Sequence, residues 1–253
     1  MSALLEVGDL RVSFPTRTGV IEAVRGVSFT LGRERLGIVG ESGSGKSQTG
    51  RAIMGLTAEQ GQISARKLEF GGIDLLTVSK AERRALRGNR IAMILQDPKY
   101  SLNPVMTIGR QIVETLHTHE KVSGAEARKR ALDMLAAVQI RDPERVFGLY
   151  PHEVSGGMGQ RAMIAMMLVA GPELLIAERG MGLIFISHDL RLVSSFCDRV
   201  IVMYAGRIVE ELQAGELAHA RHPYTQGLLN CMPRIGADRH PLPVLDRKPE
   251  WAL

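Results

Sequence analysis

Between the apolar run Leu36-Gly37-Ile38-Val39 and a helical stretch over Ser47–Leu56 stands Gly40-Glu41-Ser42-Gly43-Ser44-Gly45-Lys46-Ser47, with the spacing G-x-x-x-x-G-K-[ST]. No other feature limits the fold as strongly. A buried strand enters this loop, and a helix with Ala52, Ile53 and Leu56 on one face leaves it. The residue types follow from the chemistry. A triphosphate packs several negative charges into a small volume. Glycines let backbone N–H groups curl around it without side-chain clash, and the helix turns its positive end to the same place. Lys46 reaches the phosphates as a flexible point charge, and the Ser47 hydroxyl is suited to ligate Mg²⁺. Gly40, Ser42, Gly43, Ser44, Gly45, Lys46, Ser47 and Gln48 are therefore the first candidate nucleotide contacts.

The rest of the chain alternates strand and helix signals. Leu10-Arg11-Val12-Ser13-Phe14 and Val27-Ser28-Phe29 alternate apolar and polar residues. Ile91 to Leu95, Leu174 to Ala177, Leu183 to Ile186 and Val200 to Met203 are short apolar runs of the buried-strand kind. Ala81–Leu86 reads as a charged helix, Val105–Ile140 as mostly helical, and Met163–Val169 as an apolar helix. Beyond about Leu217 the chain turns Pro- and Arg-rich and reads as an appendage. The alternation predicts an α/β fold with a mostly parallel sheet.

Composition excludes other classes. The 253 residues are 45% hydrophobic and 23% charged, so collagen-like and wholly disordered chains are out. The longest apolar stretch, Ala162 to Ala170, is about half of what a membrane span needs. The first residues lack the pattern of a secretory signal, and the expected location is cytoplasmic. Cys197 and Cys231 show neither a disulfide framework nor metal-ligand spacing. The net charge of +5 suits anionic ligands, but 4% aromatic residues do not favour a base-stacking surface, and no nucleic-acid partner is expected.

A second motif, Val154-Ser155-Gly156-Gly157-Met158-Gly159-Gln160-Arg161, precedes the apolar helix. With the phosphate loop upstream it resembles the signature of ABC-type ATPases, which closes on nucleotide held by a partner subunit. Ser155, Gly156, Gly157 and Gln160 are candidate contacts by that resemblance. Gln96 is similar to the family's glutamine-loop residue at Mg²⁺ and the attacking water, and His188 to its switch histidine. Lys46, Gln96 and His188 form the implied catalytic set, with Ser47 and Gln96 on the metal. Phe14 occupies the place of the family's adenine-stacking aromatic residue. Gln96-Asp97-Pro98, Ser101-Leu102-Asn103-Pro104, Tyr150-Pro151-His152-Glu153, Val202-Met203-Tyr204-Ala205-Gly206 and His222-Pro223-Tyr224-Thr225 narrow the resemblance to the dipeptide/oligopeptide (and nickel) importer ATPases, over about Leu4 to Pro233. Val154 replaces a usual leucine, and Gly159 stands where a longer polar residue is common. Some members carry a four-cysteine cluster near the C-terminus; Cys231 alone implies none here.

One expected element is missing. ABC ATPases carry an Asp-Glu pair after the strand matching Leu174–Ala177, whereas this chain continues Glu178-Arg179-Gly180-Met181-Gly182 into the next strand run. A crossover between parallel strands needs about a dozen residues. So short a link permits an antiparallel hairpin, which would reverse Leu183–Ile186 and carry His188 to the opposite sheet edge. Two explanations stand. Either the numbered sequence omits roughly two dozen residues after Ala177, a length the resemblance implies, or the deletion is genuine. The first is adopted, and Glu178 is then not a catalytic acid.

The resemblance implies a P-loop NTPase (RecA-like) core with an N-terminal antiparallel β part and an inserted α-helical subdomain at about 97–150, the domain spanning 1–233 and a tail 234–253. It implies ATP and Mg²⁺, two transmembrane permease subunits, a second ATP-binding subunit (paralogous or identical) and, indirectly, an external solute-binding protein. The expected place is the cytoplasmic face of the bacterial inner membrane, peripherally bound. The alternative is a non-hydrolysing ABC-type regulatory subunit, should the Asp-Glu segment be truly absent.

Overall fold

The structure, a computed structural model, describes residues 3–94, 102–177, 184–231 and 249–252. Its contacts divide the chain into two units, Met1–Val78 with Gly180–Leu253, and Ser79–Arg179.

The first unit opens with a long hairpin, β1 (Leu5–Thr16) against β2 (Gly19–Leu31), antiparallel and irregular at three points of its register. Alternation sends Leu10 and Val12 of β1 inward, and the register shift that skips Gly26 lets their β2 partners Val27 and Val24 follow; all four are nearly inaccessible to solvent. β3 (Leu36–Val39) follows and is buried along its whole length. It delivers the chain through the glycine loop into α1 (Lys46–Met54). β4 (Gln62–Ser64) and β5 (Lys67–Phe70) both pair antiparallel with β1, and β6 (Ile73–Asp74) pairs with β5.

In the second unit, α2 (Lys80–Leu86) starts from a capping box of Ser79 and Glu82, and β7 (Ile91–Ile94) follows. α3 (Ile108–His119) buries Ile108, Ile112 and Leu116 along one face. α4 (Gly124–Ala137) buries Ala127, Ala131 and Leu135, and is capped by Ser123 Oγ, which accepts the Glu126 N–H at 3.2 Å. The charged run Glu126–Arg130 lies mostly at the surface, as its composition predicts. α5 (Pro143–Gly148) sets the Phe147 ring on Gly109 of α3, where even a methyl group would collide. α6 (Gly156–Leu168) leads to β8 (Leu174–Ala177), which pairs in parallel with β7.

The chain then returns to the first unit. β9 (Ile184–Ser187) pairs in parallel with β3, and so does β10 (Arg199–Tyr204) on the other side. The reversal of Leu183–Ile186 permitted by the short link does not occur: β9 has the direction of β3, and His188 emerges at the same strand ends as Gly40. α7 (Leu190–Phe196) connects β9 to β10 and lies on β3. β11 (Arg207–Gln213) returns antiparallel to β10 across the two-residue turn Ala205-Gly206, both at positive φ. α8 (Pro223–Cys231) completes the unit.

The appendage expected beyond Leu217 is corrected here. Leu217, Tyr224 and Thr225 are buried in the first unit. One apolar face around a single large aromatic ring was too short a signal to stand out among prolines and arginines. No helix among the described residues is long and apolar enough to cross a membrane.

Candidate nucleotide site

The glycine loop is shaped by what surrounds it. Gly40 has φ 148°, and a Cβ there would lie 2.2 Å from the Met203 carbonyl oxygen of β10 and 2.7 Å from Ser44 Oγ. Gly45 has φ 100°, and its Cβ would lie 2.5 Å from the Ala23 carbonyl oxygen of β2. Both positions combine a left-handed backbone with neighbouring backbone too close for any side chain. The loop is also tied from outside. The Gly206 N–H donates to the Ser44 carbonyl at 3.1 Å, and the Arg25 N–H donates to the Gly206 carbonyl at 2.7 Å.

α1 begins without a side-chain cap and with no acidic residue in its first turn. Caps are present on α2, α4, α5 and α6, from Ser79, Ser123, Asp142 and Ser155. The first N–H groups of α1 therefore carry their partial positive charge toward the loop with no side-chain acceptor from their own N-cap. Lys46 is almost fully buried there. Its Nζ donates to the Gly40 carbonyl at 2.7 Å, the Glu41 carbonyl at 2.6 Å and Ser44 Oγ at 3.0 Å. A buried ammonium on three neutral oxygens of a tight loop, beside an uncapped helix start, fits a polyanion. Thr49, fully buried, donates Oγ1–H to the Gly45 carbonyl at 3.1 Å and stiffens the loop-to-helix passage. Ser47 and Gln48 are half-buried on the first turn, and Gln48 Oε1 is a buried oxygen with no hydrogen-bond partner among the described residues.

His188 follows Ser187, whose register partner is Val39, the residue before Gly40. The turn after it is fixed twice. The Asp189 N–H donates to Ser187 Oγ at 3.0 Å, and the Leu192 N–H donates to Asp189 Oδ1 at 3.2 Å. His188 itself is exposed. Phe14 is half-buried in β1, and its ring edge comes so close to Gly61 that a Cβ there would lie 2.7 Å from Phe14 Cε1. The loop residues and His188 thus meet at one sheet edge of the first unit, the carboxyl ends of parallel strands, where α/β sheets bind ligands.

Ser155, Gly156, Gly157 and Gln160 belong to the second unit. Ser155 Oγ accepts the Met158 N–H at 3.4 Å and starts α6. Ser155 to Gly157 are exposed, Gln160 is half-buried, and among the described residues a Cβ at Gly156 or Gly157 would meet nothing within 4 Å. Gln96 and Glu178 lie outside the described residues. Sequence reasoning missed the roles of Ala23, Met203 and Gly206 in shaping the loop, and the hydroxyl of Tyr224, which accepts the Glu41 N–H at 3.0 Å. The His-Pro-Tyr-Thr stretch was the available signal for the last of these.

Residues 24–178 match the family described as ABC transporter. The probable peptide ABC transporter ATP-binding protein y4tR of Sinorhizobium fredii is 47% identical over 257 residues, covering 91% of this chain and 77% of that protein. The oligopeptide transport ATP-binding protein OppD of Bacillus subtilis is 45% identical over 262 residues, 93% of this chain and 73% of it. The dipeptide transport ATP-binding protein DppD of Escherichia coli is 43% identical, covering 96% and 82%. The dimeric bacterial ABC transporter cassette MJ0796 superposes with a TM-score of 0.72 at 23% identity, over 83% of this chain and 98% of that one. The structure of cbiO1 from Clostridium perfringens gives 0.69 at 24%, over 87% and 92%. These two establish the fold. The y4tR alignment runs over 257 positions, yet 91% of 253 residues is about 230, so about 27 positions have no counterpart here. That is close to the length expected after Ala177.

Proposed function

Because the chain belongs to the ABC transporter family, we propose that it is the ATP-binding and ATP-hydrolysing subunit of a bacterial importer of peptides or similar small solutes. The observation that carries this is the uncapped start of α1 with Lys46 buried beside it, a cationic cradle at the sheet edge that also bears His188. Lys46 and the backbone amides from Gly43 to Ser47 hold the phosphates. Ser47 and Gln96 would hold Mg²⁺, which would neutralise charge on the phosphates. His188 positions the terminal phosphate, and Phe14 lies on the adenine side. The family's Asp-Glu pair is not supplied by residues 174–177.

Ser155 to Gly157 and Gln160 complete the site of a second ATP-binding subunit. The open space around Gly156 and Gly157 supports this: their own fold does not require glycine there, whereas close approach by another surface does. Two permease subunits hold the chain at the cytoplasmic face of the membrane, through a helical subdomain at about 97–150 within the domain 1–233. An external binding protein delivers the solute.

The test is MgATP binding and turnover by the chain, alone and assembled with its permeases, beside Lys46→Ala. Loss of ATP binding in the variant and turnover in the assembly are expected. Unchanged binding by Lys46→Ala would overturn the loop assignment. Tight binding by the wild-type chain without turnover in the assembly would overturn the hydrolytic half.

A further inference from the structure

The His222-Pro223-Tyr224-Thr225 stretch has no part in the nucleotide chemistry above, yet it reaches the phosphate loop. Its residues divide the work. His222 Nδ1 accepts the Tyr224 N–H at 3.2 Å, and the His222 carbonyl accepts the Gln226 N–H at 3.1 Å, so the imidazole caps α8 while Pro223 takes the first helical position. Glu210 Oε1 of β11 accepts the Arg221 N–H at 2.6 Å and the His222 N–H at 3.3 Å, which fixes the start of α8 to the sheet. From this base the fully buried Tyr224 extends its hydroxyl to the Glu41 N–H, 183 positions away in sequence. Its ring is 4.5 Å from that of Tyr204 and 5.9 Å from that of Trp251, centroid to centroid. The peptide between Gly40 and Glu41 is therefore held on both sides, its Glu41 N–H by Tyr224 and its Gly40 carbonyl by Lys46. When Lys46 turns toward a phosphate, the Tyr224 bond continues to hold that peptide.

We propose that Tyr224 is a positioning residue of the nucleotide site: its hydroxyl, fixed by the capped start of α8, pins the backbone at Glu41 and so keeps the phosphate-facing amides beyond it in one arrangement. The role rests on the nucleotide reading above. It assigns the hydroxyl to the loop and the ring to packing, so the two separate in Tyr224→Phe.

The experiment uses the full chain in four forms: wild type, Tyr224→Phe, Thr225→Val and Lys46→Ala. Thr225 is a neighbour on the same helix, fully buried, with Oγ1 lacking a hydrogen-bond partner among the described residues. Two readouts are taken, hydrogen exchange at the Glu41 amide without nucleotide, by NMR, and the ATP dissociation constant. Tyr224→Phe is expected to exchange faster at Glu41 and to bind ATP about threefold to tenfold more weakly, the worth of one net hydrogen bond. Thr225→Val should match wild type in both. If Tyr224→Phe leaves exchange and affinity at wild-type values while Lys46→Ala abolishes binding, the Tyr224 role is wrong and the nucleotide site stands. If Thr225→Val weakens binding as much as Tyr224→Phe, the effect is helix packing and the role is again overturned. If the wild-type chain binds no ATP, the nucleotide reading fails and takes the role with it.

Discussion

α7 lies so close to β3 that a methyl group on Gly37 would sit 2.1 Å from Val193 Cγ1 and 3.2 Å from Cys197 Sγ. Ordinary contact begins at 3.4 Å, so in Gly37→Ala either Val193 leaves its rotamer or α7 withdraws by more than an ångström. Val193 is fully buried, and burial pushes the neighbouring Cys197 thiol up to about 11, the mark of an apolar, closed contact. Overpacking of this kind costs about 1–3 kcal/mol. For a chain of this size that is a fall in melting temperature of about 2–12 °C. Val193→Ala alone removes two methyl groups and costs about 2 kcal/mol. In the double variant the alanine at 37 occupies the space vacated at 193, so the two losses do not add, and the coupling is about 1–3 kcal/mol. The assay is thermal or denaturant unfolding of the four proteins of the cycle. A Gly37→Ala melting temperature within about 1 °C of wild type, or a double variant whose loss is the sum of the singles, would refute the packing argument. Because α7 begins two residues beyond His188, through the Asp189 cap, ATP turnover should fall further than ATP affinity in Gly37→Ala.

Gly157→Asp places a carboxylate in the first turn of α6, where it favours the helix; the melting temperature of the isolated chain should not fall, while ATP-driven pairing with the second subunit, read by size-exclusion chromatography, is lost. Gly159→Ala should stabilise by about 0.5–1 kcal/mol in denaturant unfolding, since a helical glycine gives way to alanine whose methyl, among the described residues, meets only Val154 Cγ2 at 3.9 Å. The hydrogen bond from Arg199 holds the Glu34 carboxyl below its ordinary 4.5, and Arg35 does the same for Asp198. Each contributes stability that is complete above the ordinary carboxylate pKa and is lost as pH falls through its depressed folded value; unfolding curves from pH 6 downward should therefore be flatter for Glu34→Gln than for wild type.

The parts of the fold that were plain in the sequence are those whose physics is local. β3, β8, β9 and β10 are buried on both faces and read as unbroken apolar runs within a residue or so of their ends. The phosphate loop is legible because glycine, lysine and serine are each demanded by the phosphate itself. The signature serine is legible as a helix cap. What was hidden is non-local. The Ala23 and Met203 carbonyls that compel glycine at positions 45 and 40 are backbone atoms, which any residue supplies, so no side-chain pattern announces them. The Tyr224 hydroxyl meets a backbone N–H for the same reason without a matching residue at 41. The short link after Ala177 was legible as an anomaly, because five residues are too few for a crossover between parallel strands.

The phosphate loop is written early in the chain and braced late. The Gly206 amide on Ser44 and the Tyr224 hydroxyl on Glu41 are made long after the loop itself, and the Met203 carbonyl that walls Gly40 precedes them only slightly. A ribosome emits about 5–20 residues each second, so for many seconds a nascent chain displays the motif without its frame. The motif and the site thus come into being at different times, and nucleotide capture waits for residues far beyond the motif.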